Sequence, residues 1–139
     1  MFRLPIPSPI AANTAIRQPH GTNCCLGCCV ACITNTSLEE VYTYAQLPVQ
    51  EKLPEAMAFK YLLDHNWYPS YFLPQDDFLP HLTINQTLIG QVAILIVKKG
   101  LGNHAVVWLQ DCIYDPHFGI TTDYDSYKVL AIWVVAYGE

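Results

Sequence analysis

The chain has 139 residues, 52% of them hydrophobic and 14% charged, with a formal net charge of −5. That size suits a single domain, residues 1–139, with a real core, and the composition excludes a disordered chain. The Lys and Arg residues number seven and are scattered, so no basic patch for nucleic acid is visible; apolar runs of about ten residues are too short for a membrane span, which takes about 20.

Residues 1–17 carry Pro5, Pro7 and Pro9 and read as an extended arm. The prolines interrupt any signal-peptide core. A cytoplasmic protein with reduced thiols is therefore expected, with delivery by a specialised secretion system left open. Next comes a polar lead-in, Gln18 to Asn23, and then ten small or apolar residues, Cys24 to Ile33, holding five of the six cysteines. A run with no polar face predicts a helix in mid-core. Its first N–H groups lack partners and favour an anion, so a cysteine at that end tends toward a reactive thiolate.

Thr34-Asn35-Thr36 breaks the pattern, and Ser37-Leu38-Glu39-Glu40 is a capping box that starts a helix from about Leu38 to Gln46. Pro54 opens a helix over about Glu55 to His65, with Asn66 as its C-cap. Tyr68 to Leu73 reads as a short strand. Within residues 74–90, Asp77–His81 and Asn85–Ile89 each suit one helical turn. Gln91–Val97, His104–Leu109, Cys112–Asp115 and Lys128–Tyr137 read as strands, with turns at 98–103 and at Gln110-Asp111. Helices first and a meandering antiparallel sheet afterwards make an α+β fold.

A cysteine nucleophile needs a base, a group to orient the base, and donors for the oxyanion. If Gln110-Asp111 is a two-residue turn, opposed residues have numbers summing to 221. Asp115 then faces Val106, His117 faces His104, and all four share one face of the sheet. His104 and Asp115 become diagonal neighbours, about 7–8 Å apart at the backbone and within reach of an imidazole–carboxylate bond. A three-residue loop would put them on opposite faces. The same arithmetic makes His117 a rival base. Gln18, six residues before Cys24, can join the Cys24 N–H as oxyanion donor.

Gln18-x5-Cys24, Asn103-His104-Ala-Val-Val and Tyr114-Asp115-Pro116-His-Phe-Gly119 resemble, in order and spacing, the papain-like cysteine peptidases. The pattern is most similar to that of the bacteriocin-leader (double-glycine) peptidases and their stand-alone relatives. The resemblance covers residues 18–35 and 88–119. It implies a papain-like fold, an N-terminal nucleophile helix with Cys24 as nucleophile, His104 as base, Asp115 as orienter, Gln18 as oxyanion donor, a peptide or protein substrate, and no metal or organic cofactor. Cys25 stands where that family has Gly, so the second cysteine stays open as the attacking one. Cys28, Cys29 and Cys32 read as small core-fillers, with a metal or iron–sulfur site as the alternative. Trp108 shares the face of His104 and could floor the site, and Lys98-Lys99 reads as a solvated turn. Papain-like sites also serve acyltransferases and glutamine deamidases, and a relative that binds without turnover is a further alternative.

Overall fold

A computed structural model describes residues 13–19, 21–73, 88–99 and 102–138. Three helices, α1 (Cys25–Thr34), α2 (Leu38–Ala45) and α3 (Glu55–Asp64), precede six strands: β1 (Trp67–Phe72), β2 (Val92–Lys99), β3 (Gly102–Leu109), β4 (Cys112–Asp115), β5 (Gly119–Thr121) and β6 (Lys128–Tyr137). A 3₁₀ turn, Tyr124–Ser126, joins β5 to β6. The strands form one sheet in the order β1-β6-β2-β3-β4-β5, and every pairing is antiparallel. Strands β2 to β4 meander as expected and β5 continues the meander, but β6 returns to lie between β1 and β2.

The helices cover one face of this sheet. Helix α1 is apolar all round, and Leu26 to Ile33 are all buried. It packs with α2, α3, Tyr114, Trp133 and the inward residues of β2, β3 and β6. Asn35 ends it in the left-handed conformation, where its backbone N–H reaches Ala31 and Cys32 carbonyls. Helix α2 begins with the expected capping box: Ser37 accepts from the Glu40 N–H and Glu40 accepts from the Ser37 N–H. On α3, Phe59 stacks on buried Trp133 at 4.3 Å, a pairing worth about 0.5–1.5 kcal/mol beyond its buried area. The opposite face has its own apolar layer, built on Val106, Trp108, Leu95, Ile113 and Ile132.

Several sequence expectations need correcting. Lys98 and Lys99 belong to β2, because the β2–β3 ladder continues to Lys99 opposite Gly102. His65, not Asn66, caps α3, and Asn66 follows in the left-handed region at φ 67°. Strand β5 and the 3₁₀ turn were not anticipated. The turns expected within 74–90, and the arm over residues 1–12, lie outside the described residues. The described part of the arm is non-helical and tied down: Asn13 N–H donates to the Cys32 carbonyl, Gln18 N–H to that of Pro116, and Tyr114 Oη to that of Ile16.

The close approach of α1 to α2 depends on Gly27. A Cβ there would lie 2.6 Å from the Tyr42 ring, and Tyr42 is itself fixed by a 2.7 Å bond from its Oη to the Glu51 carbonyl. Gly27→Ala should therefore destabilise the fold by about 1–3 kcal/mol, despite the better helix propensity of alanine. Urea denaturation with an unchanged m-value checks this.

Candidate active site

The β3–β4 turn sets the geometry. Leu109 pairs with Cys112, Trp108 with Ile113 and Val107 with Tyr114, so Gln110-Asp111 is a two-residue turn, with Gln110 at φ 69°. Parity then puts His104 and Asp115 on one face. His104 Nε2 and Asp115 Oδ1 are 2.8 Å apart, with both residues buried. The carboxylate is held from three sides. Its Oδ1 also accepts from the His117 backbone N–H, and its Oδ2 accepts from Tyr127 Oη, each at 2.8 Å. Burial pushes the Asp115 carboxyl up, but these hydrogen bonds and the His104 charge hold it well below the usual carboxylate range. Burial likewise disfavours a charged His104. The Asp115 bond, a bond to the Cys25 thiol and the charges of both partners outweigh it and raise the imidazole to about 9.

The cysteine against His104 is Cys25, the first residue of α1. Burial opposes its thiolate. The hydrogen bond from His104, the Ala105 backbone N–H and the imidazolium charge more than offset this, and the thiol is lowered. Nε2 is engaged by Asp115, which leaves Nδ1 as the ring nitrogen available to Cys25. Of the two cysteines the sequence leaves open, with Cys24 favoured, it is Cys25 that lines the cleft beside His104. Cys24 is the N-cap, one residue before the helix, and its side chain is fully buried. Its sulfur meets Thr22 Oγ1 at 3.2 Å and the Cys28 thiol, and these hydrogen bonds pull its pKa down and push that of Cys28 up. Among the described residues, no imidazole or other base is a hydrogen-bond partner of this sulfur.

A cleft of about 700 Å³ opens over Cys25 and His104, walled by Gln18, Asn23, Lys52, Asn103 and His117. The Gln18 amide Nε2 donates to the Thr22 carbonyl at 2.7 Å, leaving its second N–H, while Oε1 is buried without a partner among the described residues. The Gln18 side chain therefore lines the cleft but is engaged with its own lead-in. His117 stacks on His104 with ring centroids 4.5 Å apart. Trp108 shares the sheet face of His104 but does not line the cleft; it lies farther along β3 in the apolar layer away from the helices, with Nε1–H donating to the Leu88 carbonyl. Cys28, Cys29 and Cys32 are buried and, like the other cysteines, free. Among the described residues, no three His, Cys, Asp or Glu side chains are grouped to hold a metal ion. None of their helices is long and apolar enough to cross a membrane. His20 and His81 lie outside the described residues. Tyr127 is the site residue that sequence reasoning missed, and no local motif marks it.

No protein-family description matches the chain, and no curated protein does. A solved structure does: a double glycine motif protease from an AMS/PCAT transporter, in complex with the leader peptide, superposes with a TM-score of 0.61. The match covers 99% of this chain and 100% of that one at 12% sequence identity. The two chains share a fold. The arrangement is the α+β one expected from the sequence, three helices on an antiparallel sheet.

The hydrogen bond to Asp115 favours charged His104, so removing the carboxylate should lower the imidazole pKa. In Asp115→Asn the His104 titration followed by NMR should fall from about 9 toward the ordinary value near ~6.5, and burial should carry it lower still.

Proposed function

We propose that this protein is a cysteine peptidase or amide hydrolase acting on a polypeptide, with Cys25 as nucleophile, His104 as general base and acid, and Asp115 as orienter. The observation that carries the reading is the buried Asp115–His104 bond of 2.8 Å, with a partly exposed thiol on the other side of the ring at the N-terminus of a buried helix. A thiolate–imidazolium pair of this kind is a primed nucleophile.

The Cys25 thiolate attacks the carbonyl carbon of an amide in the cleft, and the carbonyl oxygen takes the negative charge. The Cys25 backbone N–H, a first-turn donor without an intrahelical partner, faces that charge together with the free N–H of Gln18. His104 Nδ1 gives its proton to the leaving amine, the C–N bond breaks, and an acyl-cysteine thioester remains. His104 then takes a proton from water, whose oxygen attacks the thioester and releases the acid and the thiolate. Asp115 keeps the imidazole oriented with Nε2–H toward itself throughout. The likeness to a protease in complex with a leader peptide supports a polypeptide substrate here. Transfer of the acyl group to an amine, or deamidation of glutamine, would use the same steps with a different acceptor or leaving group.

Limiting iodoacetamide near pH 6, located by mass spectrometry, tests the pair. Cys25 should label first, and His104→Ala should slow it by about tenfold or more, since an ordinary thiol is almost wholly protonated there. Cys25→Ala should abolish turnover of a peptide library scored for new termini and for ammonia, whereas Cys24→Ala should retain it. Labelling confined to Cys24, or labelling of Cys25 indifferent to His104, would overturn the assignment.

A further inference from the structure

The chain is acidic overall, with 12 Asp and Glu against seven Lys and Arg, yet its cleft is not. Among the described residues lining it there is no Asp or Glu, and Lys52 stands in its wall, exposed and with no ion pair among the described residues. The remaining polar lining is amides, a hydroxyl and the two histidines: Gln18, Thr22, Asn23, Asn103, His104 and His117.

The sheet extends this character beyond the cleft. Asn103, on the cleft wall, pairs directly with Lys98 on β2, and Lys98 pairs directly with Lys128 on β6. Directly paired residues in antiparallel strands share a face. The register shift between Ile96 and Val97 preserves this for Lys128. All three residues are exposed, and they lie on the helix-covered side of the sheet, at its uncovered end. Two lysines placed opposite each other on adjacent strands repel and destabilise the pairing. Neither has an ion pair among the described residues to relieve it. The row runs about 10 Å from Asn103, two strand spacings, so Lys98 and Lys128 lead away from the cleft wall in which Lys52 stands.

We propose that Lys52, Lys98 and Lys128 form a cationic track that receives an acidic stretch of the polypeptide whose amide is presented to Cys25. This names a substrate class for the reading above and rests on it for the reacting bond. The track itself is a property of the surface. Carboxylates spaced along an extended chain, about 3.3 Å per residue, match a row of ammonium groups, and the long lysine stems let the contacts adapt to different acidic sequences.

The test is protection of Cys25. Iodoacetamide labelling is timed at low salt, with and without hexaglutamate or hexaglutamine, and each variant is compared with itself. Hexaglutamate should slow labelling at least about threefold, hexaglutamine should not, and the protection should vanish at 0.5 M salt, where the screening length is about 4 Å. In Lys98→Glu/Lys128→Glu the hexaglutamate effect should disappear, and in Lys52→Glu it should fall. Fluorescence anisotropy of labelled hexaglutamate on Cys25→Ser measures the track without the thiol. If Cys25 proves unreactive while the peptide still binds through the lysines, the catalytic reading fails and the track stands. Equal protection by both peptides, protection that survives the double charge reversal, or tighter anisotropy binding of a thymidine oligonucleotide than of hexaglutamate would overturn the proposal.

Discussion

The site hangs on one buried contact, the bond between His104 and Asp115. A histidine and an aspartate inside an apolar sheet are each costly, and together they are tolerable because both carboxylate oxygens find donors. Asp115 achieves this with His104, the His117 backbone and Tyr127. The contact is set by parity. Two residues in the β3–β4 turn put both side chains on one face, and one residue more would send them to opposite faces. Gln110 and Asp111, remote from the cleft, thereby determine whether His104 is anchored.

The second constraint is the rotation of α1. Successive residues on a helix differ by about 100° in direction. Cys24 and Cys25 are adjacent in sequence, yet one sulfur is sealed against Thr22 and Cys28 while the other reaches His104. The turn before the helix, with Gly21 at φ 76° and Thr22 bonded back to Pro19, fixes where the helix starts and so which thiol faces the cleft. Counting six residues from Gln18 cannot resolve that rotation, because the lead-in is itself a bend whose rise per residue is irregular.

Much else was legible. The alternation of β3 and β4, the capping box of α2 and the apolar run of α1 are local patterns with strong physical causes, and patterns of this kind located the helices, five of the six strands and the pairing of His104 with Asp115. Tyr127 and the insertion of β6 between β1 and β2 were not legible. Both depend on contacts between segments far apart in sequence, and neither leaves a periodicity to read. The lysine row belongs to the same class. Lys98 and Lys128 look scattered along the chain and come together beside Asn103 only once the register of three strands is known.

The two borders of the sheet carry a consequence of their own. On one side β1 contains Pro69, which has no N–H to offer. On the other, β5 is three residues long. Neither border is a good template for an incoming strand, a common route by which peptides are captured and by which sheets aggregate. On the proposed reading, a polypeptide meeting either border finds little backbone to zip onto, which leaves its selection to side chains in and beside the cleft.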